Sequence, residues 1–456
     1  MKVPACLAAL LLPVFAASVL RAENTDRLLE ELTLPRPVVA DADNGWPEAR
    51  KLISTRPVDG KGKKREFLIF PGEGRSGQVP GVDEEVLLEC RRLNGPALDT
   101  MRKILALPAW QRPHPVGVWP AELLEPGSYN LGFPIRVVMA EAVVQAKQGH
   151  LDKAWPDILT TFQLGRRVAE SGGTQMETLY ASALTGTASS TAAFIAQFAR
   201  DPAALRTMAA SLEPLESCGD IYRRTLDGEL YWMLKRIELY QSDPDFLKRT
   251  LVEQHLLVEQ ASAMKAEFDA WANSNLKLLG KKDAPLPDFR IAKYPYDENR
   301  AKWLKDPPEE VLQELEVARG TDWTAETQEA VKKHRSAILI QSTTWADFRK
   351  PDPLKEREAA GELEGYHELA LNVTFRIACS VRQARLCLLV RAWMLEHAGT
   401  RPETLRDLVP GYLKAIPADP FDGQPMRYNK DRIWSVDKDL EDNGGNNEKD
   451  RVLLLP

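Results

Sequence analysis

The sequence predicts a mainly α-helical protein that ends in a small α/β module containing a short antiparallel sheet. Two observations support this fold class. From residue 84 onward, apolar residues recur at helical spacing through most of the chain. Near the C-terminus the pattern changes to short apolar runs separated by Pro, Gly, Asn and Asp, which is typical of strands joined by turns.

The composition is that of a folded protein. Of the 456 residues, 44% are hydrophobic and 28% are charged, so the chain has enough apolar side chains to build one or more cores. At about 150 residues per domain the length favours about three domains, although a continuous helical array can also reach this length.

The N-terminus has the pattern of an export signal. Lys2 precedes an apolar stretch that is too short and too rich in proline to span a bilayer comfortably, and Ala22 offers a small residue for cleavage. We therefore interpret residues 1–22 as a removed signal peptide, which predicts a periplasmic or envelope-associated protein without membrane insertion. An uncleaved membrane anchor is the less favoured alternative, because no stop-transfer pattern follows.

The charge of the mature chain argues against nucleic acid and anionic membranes as partners. Loss of Lys2 and Arg21 with the signal takes the net charge from −6 to −8, whereas both of these partners attract clustered Lys and Arg. The short basic run at 61–66 is the exception, and we interpret it as a solvated loop. Other envelope proteins are the expected partners.

The body of the protein is expected to consist of antiparallel helical hairpins, with a solenoid-like array as one arrangement. After an extended or loop region at 23–83, the predicted helical body covers 84–350. It contains a proline-rich loop at 107–134 and a linker-like stretch at 280–308. Gly149 marks a tight turn between two helices, similar to the turn of tetratricopeptide helix pairs.

A long helix is predicted from about 355 to 398, stopped by Gly399, and it introduces the C-terminal module up to residue 456. From about 384 to 450 the chain resembles the C-terminal half of the major pseudopilin of type II secretion systems. In that family a helix end is followed by a proline and a Leu-rich turn, a Pro-x-Asp-Pro segment, a strand ending in Tyr and a glycine-rich loop. The matching residues here are Pro402, Leu405, Leu408, Pro417, Asp419, Pro420, Tyr428, Ser435 and Asp439.

The tail also resembles that of uncharacterised exported helical proteins from planctomycete and verrucomicrobial bacteria, a resemblance that implies no activity. The pseudopilin resemblance implies a calcium-binding loop, with Asp439, Asp442 and Asp450 as ligands. Calcium takes six to eight hard oxygen ligands, which an acidic loop can supply. The N-terminal methylated helix of pseudopilins is absent, so the module is expected to act as a soluble domain rather than to enter a pilus.

A plain hairpin turn is the alternative for the acidic tract at 436–450, and we favour it. Asn443 and Gly444 could supply positive backbone dihedrals between the strands RIWSV and DRVLLL. Asp437 stands where the pseudopilin loop has glycine, which bears on the conformation of the loop. An EF-hand is excluded, because its sixth position is Asp442 where glycine is required.

Other motifs do not identify a catalytic or cofactor site. Gly72, Gly74 and Gly77 form a G-x-G-x-x-G pattern, but Pro80 and Gly81 follow where a dinucleotide site needs a helix. No G-x-S-x-G elbow occurs. The tryptophans are spread along helices and favour interhelical packing over sugar binding. The histidines are scattered, with no metal-binding spacing: His114, His150, His255, His334, His367 and His397.

Four cysteines remain after signal removal. Cys379 and Cys387 are predicted to lie about 12 Å apart on one helix, too far to bond each other. No C-x-x-C or zinc pattern includes Cys90 or Cys218. We expect buried thiols for at least two of the four.

These observations favour an exported, non-catalytic interaction or scaffold protein of the bacterial cell envelope. The competing class is an envelope hydrolase whose pocket forms between the proline-rich segment 107–134 and the helical body. Convergent carboxylates, or a histidine with a partner in a closed pocket, would favour the enzyme.

Overall fold

The computed structural model describes residues 39–52, 81–111, 131–274, 296–338, 344–349 and 364–455, together with a few isolated positions between 32 and 69. Several predicted features lie outside the described residues. These features are the signal peptide 1–22, most of the N-terminal region 23–83 with its glycine pattern, the middle of the proline-rich loop and residues 280–295.

The described chain contains thirteen α-helices and two small antiparallel sheets, which confirms the predicted fold class. It divides into two compact units. The smaller unit contains residues 230–333, and the larger contains most of the remaining described chain, including residues 334–455. These units differ from the predicted ranges 84–350 and 355–456, because the last long helix packs against helices that precede the smaller unit in the sequence.

The larger unit is built from eight helices. They are α1 (Gly45–Ala49), α2 (Glu84–Ala106), α3 (Gly132–Lys147), α4 (Leu151–Glu170), α5 (Gln175–Ala196), α6 (Pro202–Leu212), α12 (Trp345–Arg349) and α13 (Glu364–Glu396). Two further helices, α7 (Ile221–Ser242) and α11 (Trp323–Ile338), belong partly to each unit.

Helix α2 is kinked near its middle, at the sequence Asn-Gly-Pro. Asn94 has non-helical backbone angles two residues before Pro96. The Asn94 side chain is buried and hydrogen bonded, since its Nδ2 donates to the carbonyl oxygens of Thr55 and Cys90 and its Oδ1 accepts from Thr55 N. The kink therefore leaves no buried amide of Asn94 without a partner.

Successive helices α3, α4 and α5 pack against one another as the hairpin prediction requires. Gly149 ends the α3–α4 turn with φ +88°, and Gly172 has φ +73° between α4 and α5. Both angles lie in the left-handed region that glycine adopts without steric cost. A capping box at Thr174 and Glu177 then starts α5.

The long helix α13 lies at the centre of the larger unit and packs against α5 and α6. Its side chains also make polar contacts over long sequence distances. The Arg391 guanidinium donates to the carbonyl oxygens of Ala196, Gln197 and Ala199. Ala196 is the last residue of α5 and Gln197 is its C-cap, so a cation beside their carbonyls stabilises the C-terminus of the helix.

The C-terminal sheet has the strand order β3–β4–β5, formed by Arg427–Asn429, Arg432–Ser435 and Arg451–Leu454. Trp434 pairs with Arg427 on one side and with Val452 on the other. Ile433 and Leu453 face a core that is continuous with the core of the helices. A second sheet pairs β1 (Leu68–Ile69) with β2 (Gly81–Val82).

The smaller unit contains α8 (Pro244–Ser274), α9 (Tyr296–Lys305) and α10 (Glu309–Arg319), all in mutual contact through α8. Helix α9 lies within the stretch 280–308, which was predicted to be linker-like. The linker prediction is therefore wrong for residues 296–305. The charges that suggested a linker are used in packing, since Arg300 pairs with the buried Glu253 of α8.

Tryptophans of the described chain contribute to packing, as predicted. Trp155, Trp345 and Trp434 are buried, and Trp345 is among the largest fully buried side chains. Trp393 is half-buried and stacks on His397 with ring centroids 3.7 Å apart. Among the described helices, none is long and apolar enough to cross a membrane.

Candidate functional site

The acidic tract at 436–450, which we call the acidic loop, connects β4 to β5. As the hairpin interpretation predicts, glycine provides positive φ angles, +67° at Gly444 and +77° at Gly445. Asn443 does not share this conformation, so the turn lies one residue later than predicted. Asp437 and Leu440 also have positive φ, +51° and +62°. Asp437 is the position where the pseudopilin loop has glycine, a residue that adopts this conformation more readily.

Asp450, one of the three predicted calcium ligands, is buried and holds the backbone of the acidic loop. Its Oδ2 accepts hydrogen bonds from Gly445 N at 2.8 Å and from Asn446 N at 3.0 Å, and its Oδ1 accepts from Asn443 N at 3.4 Å. A carboxylate that accepts several backbone N–H groups fixes a turn in the same way that a cap fixes a helix end.

Asp442 and Asp439, the other two predicted ligands, are exposed and also have protein donors. Asp442 Oδ1 accepts from Trp434 Nε1 at 2.9 Å and from Gly444 N at 3.0 Å. Its Oδ2 lies 3.7 Å from the Nε of Arg427. Asp439 Oδ1 accepts from the backbone N of Glu441 at 3.1 Å.

Hydrogen-bond donors of the protein already contact the three carboxylates. Each carboxylate faces N–H donors rather than a common centre, and the described residues contain no group of three His, Cys, Asp or Glu side chains that could hold a metal. Calcium would have to displace these donors to collect its six to eight oxygen ligands. Calcium binding at Asp439, Asp442 and Asp450 stays a prediction for titration.

Asp419 organises the polar centre of the C-terminal module. The residue is fully buried, and its carboxylate accepts four hydrogen bonds. The donors are the backbone N of Phe421 at 2.9 Å, the Ser435 hydroxyl at 2.7 Å, the backbone N of Val436 at 3.0 Å and Arg427 Nη1 at 2.7 Å. The segment was predicted to be a turn, and Gly423 reverses it with φ +75°.

The neighbouring carboxylate, Asp422, is also structural. It pairs with Arg427, whose guanidinium therefore contacts both Asp419 and Asp422 and approaches Asp442. Burial raises the pKa of Asp419, and the hydrogen bonds from Phe421, Ser435 and Val436 act against that rise. The pair Asp419 and Asp422 thus has a cation between its members, which holds the two carboxylates in a structural ion-pair network.

Three side chains connect the sheet to helix α13. Gln383 Nε2 donates to the carbonyl oxygens of Arg451 at 2.7 Å and Ile433 at 3.3 Å, so one amide contacts both β4 and β5. The Arg451 guanidinium donates to the Ser380 hydroxyl at 2.7 Å. Arg376 pairs with Asp437 of the acidic loop at 3.3 Å. We call these contacts the helix–sheet joint.

The thiols on α13 are unsuited to chemistry. Cys379 and Cys387 are fully buried, and burial raises the pKa of each thiol to about 12. The thiolate is the nucleophile and the metal ligand, so a raised pKa makes these groups inert at neutral pH. Both residues confirm the expectation of buried thiols.

A buried pair of ionisable groups, His334 and Asp227, has no signature in the sequence. His334 Nε2 lies 3.1 Å from Asp227 Oδ1, and the two side chains are 4% and 9% exposed. The residues lie on α11 and α7 and are separated by more than a hundred positions in the sequence. No local spacing could have indicated the contact, because it depends on how these helices pack.

A second charged cluster lies on helices α2, α3 and α4, which we call the Glu141 cluster. The Glu141 carboxylate is nearly buried and pairs with Arg91 at 2.8 Å and with Arg102. Burial raises the pKa of Asp157. The positive charge of Arg102 lowers this pKa, whereas the negative charge of Glu141 raises it further. Two carboxylates in unlike environments are one signature of acid/base sites, and also of structural ion pairs.

The pocket that would support an enzyme involves the proline-rich segment, whose residues 112–130 lie outside the described residues. The Glu141 cluster as described consists of Arg91, Arg102, Glu141 and Asp157. Comparison with protein-family models, with curated proteins and with solved structures finds no match for this chain.

Proposed function

We propose that the chain is an exported, non-catalytic interaction or scaffold protein of the bacterial cell envelope. The observation that carries the proposal is the use of the buried charges in the C-terminal module. Asp419, Asp450 and Arg451 all bond to backbone or to neighbouring side chains of the module and of α13. Charged groups committed in this way hold a shape and are not available to a substrate.

The helix–sheet joint supports a scaffold role. Gln383 and Ser380 of α13 form hydrogen bonds with the two strands of the β4–β5 hairpin. Arg391 on the same helix donates hydrogen bonds to the end of α5. Polar contacts between residues distant in sequence fix the relative position of elements that hydrophobic burial alone leaves less specific. A protein that presents surfaces to partners needs this rigidity.

Export and interaction are tested together in cells. We expect a C-terminally tagged chain to fractionate with the periplasm or envelope and to be about 22 residues shorter than its translation product, as a cleaved signal requires. Site-specific photo-crosslinkers on exposed helical positions should join it to discrete protein partners. A full-length cytosolic product, or no crosslinked protein at any position, would contradict the proposal.

An envelope hydrolase is the second candidate, and the Glu141 cluster is the observation that favours it. In that case Asp157, whose pKa is raised by burial, would act as a proton donor near Glu141, which pairs with Arg91 and Arg102. The test is a screen of the purified protein on glycan and peptide substrates of the envelope. Activity that Asp157→Asn removes without lowering the melting temperature would favour the enzyme over the scaffold.

A further inference from the structure

The outward face of helix α10 combines exposed aliphatic side chains with exposed carboxylates. Val311, Leu315 and Ala318 are buried against the core of the smaller unit. The opposite stripe consists of Glu309, Leu312, Gln313, Glu316 and Val317, all exposed and spaced as one helical face. We call it the α10 stripe.

The aliphatic residues of the stripe are unusually accessible. Leu312 is 48% exposed and Val317 is 41% exposed. Among the described residues only two other large apolar side chains are as exposed, and one of these, Val258, lies on α8, the helix against which α10 packs. Single exposed aliphatic residues are common on protein surfaces, but their concentration on one pair of helices indicates an interaction surface.

Four of the five charged side chains of α10 are acidic, and the fifth, Arg319, lies in its last turn outside the stripe. Within the stripe, Glu309 accepts a hydrogen bond from Gln313 Nε2 at 3.2 Å. In the described chain, no basic side chain forms an ion pair with Glu309, Glu310 or Glu316, while Glu314 pairs with His255 of α8 at 3.1 Å. Glu310 and Glu314 are also one helical turn apart, a like-charge spacing that destabilises an isolated helix. A partner that brings positive charge would relieve this repulsion.

We propose that the α10 stripe docks a basic amphipathic segment of another protein, with apolar side chains against Leu312 and Val317 and Lys or Arg beside Glu309 and Glu316. The inference rests on the proposed interaction role and names the chemistry of the partner. The negative charge of Glu309 and Glu316 favours a basic partner, because an acidic or neutral segment would bring no cation to these carboxylates. The spacing of the stripe matches the anchors of a helix that binds another helix.

The probe is a synthetic peptide of about five helical turns with Leu and Lys at amphipathic spacing, and its binding to the full chain is followed by fluorescence anisotropy. We expect the double variant Leu312→Ser with Val317→Ser to weaken binding about tenfold or more, equivalent to about 1.4 kcal/mol. The double variant Glu309→Gln with Glu316→Gln should weaken binding and reduce its dependence on salt.

The matched control is Leu88→Ser, which removes an aliphatic residue that is 62% exposed on α2. It should leave the affinity unchanged. The charge-reversal variant, Glu309→Lys with Glu316→Lys, should no longer bind the Leu/Lys peptide. It should instead bind a Leu/Glu peptide of the same design. Circular dichroism of each variant separates loss of binding from loss of fold.

Two results would overturn the proposal. One is the absence of peptide binding at low salt. The other is binding that survives both double variants, which would show general attraction of a cationic peptide to an acidic protein. If envelope crosslinking finds partners but the stripe variants bind the Leu/Lys peptide as tightly as the unaltered chain does, the docking site on α10 is wrong and the interaction role stands. If the stripe binds the peptide and no partner is found in cells, the proposed role fails instead.

Discussion

Asp419 is the residue on which the C-terminal module depends most. Its carboxylate accepts four hydrogen bonds in a fully buried position, one of them from Arg427. Arg427 would keep Asp422 after loss of the Asp419 charge, but the buried donors around Asp419 would lose a charged acceptor. Disrupting a buried ion-pair network of this kind costs about 3 kcal/mol.

We therefore expect Asp419→Asn to lower the free energy of unfolding by about 3 kcal/mol in urea denaturation. Asp431→Asn is the matched control. Its carboxylate is 80% exposed beside Arg401, so we expect a change within about 0.5 kcal/mol. Equal stability of the two variants would show that the Asp419 network is not a structural centre.

The thiols Cys379 and Cys387 make a second prediction at this scale. Because burial raises each pKa to about 12, at pH 8 the thiolate fraction is on the order of one in ten thousand. We expect iodoacetamide to leave both residues unlabelled in the native protein and to label both after denaturation, as mapped by mass spectrometry. Labelling of either residue in the native protein at a rate near that of glutathione would contradict their burial.

Individual residues also show where sequence reasoning reaches its limit. The role of Asp419 in a turn could be inferred, because Pro, Asp and Gly at close spacing carry their own local conformation. The pair His334 and Asp227 could not, because each residue alone has an ordinary helical context and only packing brings them together.

At the scale of elements, the approach of α7 to the turn before α5 depends on glycine. A Cβ at Gly228 would lie 2.2 Å from the carbonyl oxygen of Gly173 and 2.6 Å from that of Gly172. Since these atoms belong to the backbone, α7 would have to move. Overpacking of this kind costs about 1–3 kcal/mol.

We expect Gly228→Ala to lower the melting temperature clearly, as measured by circular dichroism. Gly186→Ala is the matched control, because Gly186 is also helical and a Cβ there would meet only an Arg451 nitrogen at 4.0 Å. Alanine is the better helix former, so this variant should gain about 0.5–1 kcal/mol. The same loss in both variants would show that helix propensity, not the close approach, decides the result.

The acidic loop is the second element with a direct test. Because Asp439, Asp442 and Asp450 already accept hydrogen bonds from the protein, we expect millimolar calcium to leave the melting temperature unchanged. The calcium hypothesis expects a rise that Asp439→Ala abolishes, by mass action on the folded state. Magnesium at equal concentration controls for ionic strength.

Long periodic helices and turn glycines were predictable from the sequence, because their signals are local. Gly149 and the strands of the last hairpin are examples. The helix Tyr296–Lys305 was missed because proline and charge dominate its surroundings, while its stability comes from contacts such as Arg300 with Glu253. The three acidic residues of the loop were found as a group, but the sequence could not show that they face backbone donors.

At the scale of the whole molecule, residues 364–455 are an integral part of the larger unit. Helix α13 packs against α5 and α6, and its polar side chains bind the β4–β5 hairpin. The core of the sheet is continuous with that of the helices. The module therefore should not unfold on its own, because opening it would expose this shared core.

Native-state hydrogen exchange tests this claim most directly. We expect the amides of Ile433 and Trp434 to exchange with opening free energies within about 1 kcal/mol of those in the buried middle of α13, because sheet and helix open together. An opening free energy for the strand amides that is several kcal/mol lower than that for α13 would contradict the account. The module would then be a separate domain that packs against the helices.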